Sequence, residues 1–371
     1  MLEPAVADAI DLSRVRRALV IKLRHHGDVL LASPVFSVLK AAAPHVEVDA
    51  LVYRETAPML AGHPAIAQLH TIDRAAKTRG PVAQLGAEWA LWRSLAARRF
   101  DLVVHLTEHP RGAWLKRLLG ARFGVARERA DAGFWWRAAF PHRYLLPRAT
   151  PRHTVETHLD ALRRIGIWPD EPDKRLLLEP GTAARARVAA LCADHGLPPG
   201  RYVVVHPGSR WLFKCWPAGA TAAIVDRLAA TGRPVVLTGA PDPAERALTA
   251  AVKAAARTAV VDLVGALSLP ELAALIGSAR LFFGVDSAPM HIAAAMGTPT
   301  VALFGPSGDL EWGPWRVPHR VVASTGHACR PCGNNGCGGS NHSDCLLTLP
   351  DTRVAAAIDE LLAETAARDG R

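Results

Sequence analysis

Short apolar runs alternate with longer stretches of helical periodicity along most of the chain. The first run, Arg17-Ala-Leu-Val-Ile-Lys-Leu23, is continuous rather than alternating, as expected of a strand covered on both faces. A polar loop, Arg24-His-His-Gly-Asp28, follows, and apolar periodicity then predicts a helix over about Val29–Ala43. Val46–Val52 reads as a second strand, which makes the opening a βαβ unit. Gln68–Ile72, Leu102–Leu106 and Arg122–Val125 are further strand candidates with helical stretches between them.

The pattern restarts at Tyr-Val-Val-Val-His206, followed by a loop and a predicted helix over Ala218–Ala230. Pro234–Thr238, Leu281–Gly284 and Thr300–Phe304 continue the strand series, and Thr352–Ala366 reads as a closing amphipathic helix. Repeated β-α alternation predicts an α/β protein with parallel sheets covered by helices on both faces. The Pro- and charge-rich stretch Trp168–Pro180 is the expected linker. The expected division is therefore 1–172 and 173–350, with 351–371 as the closing helix. Two Rossmann-like domains facing a central cleft would place ligands outside the carboxyl ends of the strands.

The length of 371 residues, half of them hydrophobic, suits two such domains without staples or metals. No apolar run is long enough to span a bilayer. The first ten residues carry acidic side chains and lack a basic start before an apolar stretch, unlike a signal peptide, so a cytoplasmic location is expected. A formal charge of +10 favours anionic partners such as phosphates, nucleotides, acidic glycans or an anionic membrane face.

Three post-strand loops carry candidate chemistry. In the first, Gly27 permits a tight turn or close ligand approach, and Asp28 stands where the helix begins. Asp28 suits either a helix N-cap or a general base that deprotonates an acceptor hydroxyl. The second loop, His206-Pro-Gly-Ser-Arg-Trp-Leu-Phe-Lys-Cys-Trp-Pro217, offers Ser209, Arg210 and Lys214 as a phosphate clamp or as a solvated basic loop; it lacks the Walker A spacing. In the third, Gly284-Val-Asp-Ser-Ala-Pro-Met-His291, Pro289 favours the first turn of a helix whose free amides suit a diphosphate. His291, one turn beyond Ser287, either faces that anion or is a buried core histidine. Phe304-Gly-Pro-Ser-Gly308 adds a further Gly-rich turn after a strand.

Lys22-Leu-Arg-His-His-Gly-Asp28 together with Gly284-Val-Asp-Ser-Ala-Pro-Met-His291 resembles glycosyltransferase family nine, the lipopolysaccharide heptosyltransferases. Phe213-Lys-Cys-Trp216 and Val285-Asp-Ser-Ala-Pro289 look most like its heptosyltransferase III branch. The resemblance spans roughly Ala18–Leu310. It implies a GT-B fold with acceptor contacts in the first domain, around Arg24, His25, His26 and Gly27, and donor contacts in the second. It further implies that Asp28 is the base of an inverting transfer from ADP-heptose to the lipopolysaccharide inner core. Lys214 and Arg210 would meet the leaving ADP, and no metal is required for catalysis. Asp286, Ser287, Ala288, Met290 and His291 would hold the diphosphate and nearby sugar. Ser209 matches a small hydroxyl position, while Gly208 departs from the hydroxyl often found one residue earlier. The family's ribose-holding acid aligns at Pro243, leaving Glu245 or Asp242 as substitutes. The competing readings are a related transferase with another nucleotide sugar, or a non-catalytic protein that binds sugar nucleotides or nucleic acid. No RNP, KH or zinc-finger pattern appears, so no nucleic-acid partner is expected. A Rossmann dehydrogenase is disfavoured because no G-x-G-x-x-G follows either opening strand.

Two features stand outside that scheme. Cys329, Cys332, Cys337 and Cys345 suit either a structural zinc site or free thiols, since their spacing lacks the paired CxxC of common ribbons. Residues 111–143 hold eight basic and two acidic residues with Trp114, Phe134, Trp135, Trp136 and Phe140 among them. That mixture is either a solvated face over aromatic core residues or a surface for acceptor or membrane, with peripheral contact at the cytoplasmic face of the inner membrane.

Overall fold

A computed structural model describes residues 6–146 and 150–369. Residues 1–5, part of the segment tested for a signal sequence, lie outside the described residues. The chain divides into two compact units, 1–179 and 180–371. The boundary thus falls at the far end of the expected linker rather than at 172–173.

The first unit runs β1 (Arg17–Ile21), α1 (His26–Leu30), α2 (Ser33–Ala42), β2 (Glu47–Tyr53), β3 (Gln68–Ile72), α3 (Pro81–Arg98), β4 (Leu102–His105), α4 (Arg111–Leu118), β5 (Phe123–Arg127), α5 (Phe134–Ala139), β6 (His142–Tyr144) and α6 (Thr154–Arg163). Its sheet is parallel with strand order β3-β2-β1-β4-β5-β6. Leu19, Val20 and Ile21 are fully buried because β1 pairs with both β2 and β4 and is covered on both faces. The predicted helix over Val29–Ala43 is in fact two, broken at Leu31–Ala32, with Pro34 in the first turn of the second.

The second unit runs α7 (Thr182–Asp194), β7 (Val203–His206), α8 (Ala218–Ala230), β8 (Val235–Leu237), α9 (Pro243–Ala255), β9 (Val261–Asp262), α10 (Leu269–Gly277), β10 (Leu281–Val285), α11 (Ala288–Met296), β11 (Thr300–Phe304), α12 (Asp309–Trp312), β12 (His319–Ala323), α13 (Asp344–Leu347) and α14 (Asp351–Asp369). Its strand order is β12-β11-β10-β7-β8-β9. α14 packs on α8 and β12, so the closing helix is part of this unit. Its buried Val354, Ile358 and Leu361 join the core formed by Val203, Phe283 and Val301.

Numbered within each unit, both sheets have the order 3-2-1-4-5-6 of dinucleotide-binding α/β folds. Chain direction across such a sheet reverses between its first and fourth strands, here β1 and β4, then β7 and β10. Crossover helices diverge at that point and leave a crevice at the carboxyl ends. The loops after β1, β7 and β10 flank these two positions. Among the described residues no helix is long and apolar enough to cross a membrane.

Candidate functional site

In the first unit, Lys22 and Leu23 continue beyond β1 before the chain turns at Arg24 and His25. Leu23 N–H donates to Thr107 Oγ1 at 2.9 Å, tying this turn to the loop after β4. The N-cap of α1 is His25, without a side-chain cap bond, and Asp28 lies inside the first turn. The capping role considered for Asp28 is therefore not the one it plays. Its carboxylate instead stands 3.8 Å from the Lys22 ammonium, with side chains 18% and 6% exposed. Arg24 is exposed, whereas His25, His26 and Gly27 are half-buried; His26 Nε2–H donates to the Glu55 carbonyl at 2.9 Å.

Lys22 is held from behind. Its Nζ donates to His158 Nε2 at 2.9 Å and to the Leu106 carbonyl at 3.3 Å. His158 Nδ1 lies 3.1 Å from the Leu31 carbonyl, so Nδ1 carries the proton and Nε2 accepts from Lys22. Burial pushes His158 well below the usual histidine range, and the Lys22 charge adds to that, keeping the ring neutral. Burial also lowers Lys22 to about 8, an effect that Arg24 increases and that Asp28 and Glu108 oppose.

In the second unit, the loop after β7 is pinned by two aromatics. Phe213 is buried, and Trp216 is buried against Phe283 while its indole N–H donates to the Leu349 carbonyl at 3.2 Å. Between them Lys214 Nζ reaches Asp286 Oδ2 at 2.6 Å, joining the β7 loop to the β10 loop. Asp286 directly precedes Ser287, the N-cap of α11. The Ser287 hydroxyl is buried without a hydrogen-bond partner, and its side chain makes no cap bond. A helix N-terminus with an orphan hydroxyl and a lysine alongside is suited to an anion. Met290 and His291 are buried beneath it, with Ala288 half-buried at the first position. Ser209 is buried and accepts from Trp211 N–H at 3.3 Å; Arg210 is exposed over the Trp211 ring.

The absence of a side chain at Gly208 has a local cause. A Cβ there would lie 2.6 Å from Glu245 Oε2, which accepts from Ala240 N–H at 2.9 Å and stands 3.6 Å from His206 Nε2. Those bonds offset the burial of Glu245 and hold its carboxyl below the usual range. Its carboxylate is thus committed inside the unit beneath the loop. Asp242 is exposed and caps α9 through Ala244 N–H at 2.9 Å.

The cysteine-rich segment packs against the same strand ends. Arg330 Nε–H donates to the Gly305 carbonyl at 2.6 Å and its Nη2 pairs with Asp309 at 2.8 Å. Ser343, buried, donates to the Phe213 carbonyl at 2.7 Å. Cys329, Cys332 and Cys337 are exposed free thiols, and Cys345 is a buried one that burial and the three neighbouring thiols push upward. Among the described residues no group of three or more His, Cys, Asp or Glu is disposed to hold a metal ion.

The model of glycosyltransferase family 9 (heptosyltransferase) matches residues 88–341. Lipopolysaccharide heptosyltransferase 3 of Escherichia coli is 37% identical over 298 residues, 79% of this chain and 84% of that protein. The chain belongs to glycosyltransferase family 9. Lipopolysaccharide heptosyltransferase 1 of Pseudomonas aeruginosa is 28% identical over 85% of the chain and 86% of its own length. Among solved structures, a family 9 glycosyl transferase from Veillonella parvula superposes with a TM-score of 0.81 at 24% identity, covering 96% of this chain and all of that one. E. coli ADP-heptose lps heptosyltransferase II gives 0.73 at 21% identity, covering 94% and 99%. The fold is accordingly the GT-B fold of this glycosyltransferase family.

Within this family 9 chain, the structure brings Lys214 to Asp286 and places Ser287 and His291 on the same helix end. It does not bring Asp242 or Glu245 into that group. Sequence reading gave no role to His158 or Ser343. Each touches its partner across more than 100 positions, so no local pattern announces it. Lys22 was legible only as the first residue of the Lys22–Asp28 motif.

Proposed function

We propose that this protein is an inverting glycosyltransferase that moves heptose from ADP-heptose to the lipopolysaccharide inner core, as a heptosyltransferase 3. The observation that carries this reading is the Lys214–Asp286 pair, which bridges the β7 and β10 loops at the point where strand order reverses. Beside it lie the N-terminus of α11 and the Ser287 hydroxyl, which suit a diphosphate. The relatives add the donor class: E. coli proteins 37% and 35% identical are named lipopolysaccharide heptosyltransferase 3.

In the proposed reaction Asp28 takes the proton of the acceptor hydroxyl as its oxygen attacks the anomeric carbon. The bond to the diphosphate breaks on the opposite face, and ADP leaves with the electron pair. Lys214, Arg210 and the amides of α11 meet the charge that grows on the leaving group. Lys22 holds the Asp28 carboxylate in direction, with His158 fixing Lys22 in turn. No catalytic metal is needed in this scheme, because cationic side chains already stand at the diphosphate site. Asp242 is the remaining exposed carboxylate for the ribose. We place the reaction in the cytoplasm, with the enzyme peripheral at the inner membrane.

The test is binding and turnover with ADP-heptose, ADP-glucose, UDP-GlcNAc and GDP-mannose. Selective binding of ADP-heptose, lost in Lys214→Ala, and turnover lost in Asp28→Asn are expected. Preference for another donor would replace heptose transfer with a related transfer on the same fold. Full turnover by Asp28→Asn would remove it as the base.

A further inference from the structure

The large apolar side chains left exposed are concentrated in one part of the first unit. Val82, Leu85 and Trp89 on α3 are 82%, 70% and 59% exposed, and their spacing puts them on one helix face. Trp114 and Leu118 on α4 and Phe134 and Trp135 on α5 are exposed as well, by 55%, 63%, 76% and 54%. These helices are joined. Arg111 pairs with Glu88 from α4 to α3, and Trp114 stacks on Trp135 from α4 to α5 with ring centroids 5.5 Å apart. Burial of such side chains is the default in a folded protein, and a contiguous exposed group marks an interaction surface.

The charges around this group have one sign in excess. The acidic residues at its edge are spent: Glu88 on Arg111, Glu108 on Arg127, Asp131 on Arg129 and Glu128 on Arg143. Arg117 and Arg137, both exposed, form no salt bridge among the described residues, although Arg137 lies near enough to Glu128 to lower its carboxyl pKa, and Arg117 lies 4.8 Å over the Trp135 ring. Between α4 and α5 is a hollow of about 210 Å³ with Trp114, Arg117, Arg129 and Trp135 on its walls. Indole rings and arginines side by side match the membrane–water boundary, where rings sit at headgroup depth and guanidinium groups meet phosphates. The hollow is of headgroup size; Asp131 on its wall is paired with Arg129, which leaves Arg117 as the cation there for a phosphate.

We infer that the exposed faces of α3, α4 and α5 form a docking surface for an anionic phospholipid membrane, with Trp114, Phe134 and Trp135 entering the interface and Arg117 and Arg137 contacting lipid phosphates. The surface stands independently of which saccharide is the acceptor. A second copy of the chain is the less suited occupant, because the unspent arginines would meet one another across a two-fold contact.

The experiment is flotation of the full-length protein with vesicles of phosphatidylglycerol and phosphatidylethanolamine, against vesicles of phosphatidylcholine. Wild type is expected to float with the anionic vesicles, less so as salt rises. Trp114→Ser/Phe134→Ser/Trp135→Ser should lose at least about tenfold in partitioning. Arg117→Gln/Arg137→Gln, which removes two charges but no aromatic side chain, should lose roughly tenfold and most of the salt dependence. Unchanged circular dichroism and unchanged ADP binding would show that both variants are folded. The inference is overturned if wild type ignores anionic vesicles, or if both variants float as wild type does. It is also overturned if wild type is a dimer by light scattering and the aromatic variant a monomer, which would assign the face to a second copy. Loss of turnover on a deacylated, water-soluble acceptor in the arginine variant would assign it to the acceptor saccharide instead.

Discussion

Lys22→Met separates the stability role of the buried lysine from its role beside Asp28. The folded protein lowers Lys22 from 10.5 to about 8, mainly by burial. That difference corresponds to roughly 3 kcal/mol. Between pH 8 and 10.5 the unfolded chain keeps the proton that the folded chain has released. The unfolded state therefore binds more protons there, and stability rises with pH through this window. Below pH 8 the full cost of the buried charge is present. Methionine removes that cost but leaves His158 Nε2 and the Leu106 carbonyl without their donor, each costing roughly 1–3 kcal/mol. Near pH 7 the two effects nearly cancel, so the variant should lie within about 2 kcal/mol of wild type. From pH 7 to 10.5 the difference should then move in favour of wild type by about 3 kcal/mol. Urea unfolding of both proteins at pH 7, 8, 9 and 10 reads this directly, and other titrating groups cancel in the comparison. Turnover should fall by roughly 10²-fold at unchanged ADP affinity, the cost expected for a misdirected reacting group. A stability difference that stays flat from pH 8 to 10 would refute the buried-ammonium account. Wild-type turnover would refute the positioning role.

Gly112→Ala would place a methyl group into the His105 ring, which is packed between Trp136 and Phe140. It should destabilise the first unit by about 1–3 kcal/mol or more in thermal unfolding, and a neutral result would contradict that packing. Gly208→Ser would crowd the Glu245 carboxylate and break its bond to Ala240 N–H. Calorimetry should show weaker ADP binding through the displaced loop, whereas unchanged affinity would mean that the loop adjusts freely. Ser343→Ala removes the donor to the Phe213 carbonyl, costing about 1 kcal/mol. It should weaken ADP binding severalfold with no change in acceptor KM; an acceptor effect alone would be inconsistent with a role through the Lys214 loop.

The central strands were readable because their signals are local. A continuous run such as Tyr202–His206 can only be a strand covered on both faces, and β3 and α8 fall at their expected limits. The strands β6, β9 and β12 were missed. All three lie at a sheet edge and carry polar residues such as His142, Asp262 and Arg320, which breaks the apolar run; β6 and β9 are also very short. The limits of α1 were missed for a different reason: the break at Leu31–Ala32 interrupts the backbone without interrupting the apolar pattern.

By itself the sequence determined the α/β class and the two-unit division, and it pointed to glycine, lysine and a helix N-terminus because these carry their chemistry wherever they stand. Tertiary structure alone decided strand order, and with it which loops flank a switch point, because order depends on pairings such as Ala18 with both Val48 and Leu102. It likewise decided that Asp28 faces Lys22 and that His158 stands behind Lys22. Those contacts join β1 and α1 to a helix more than 120 residues away, and burial, rather than any local propensity, sets the charge each group carries.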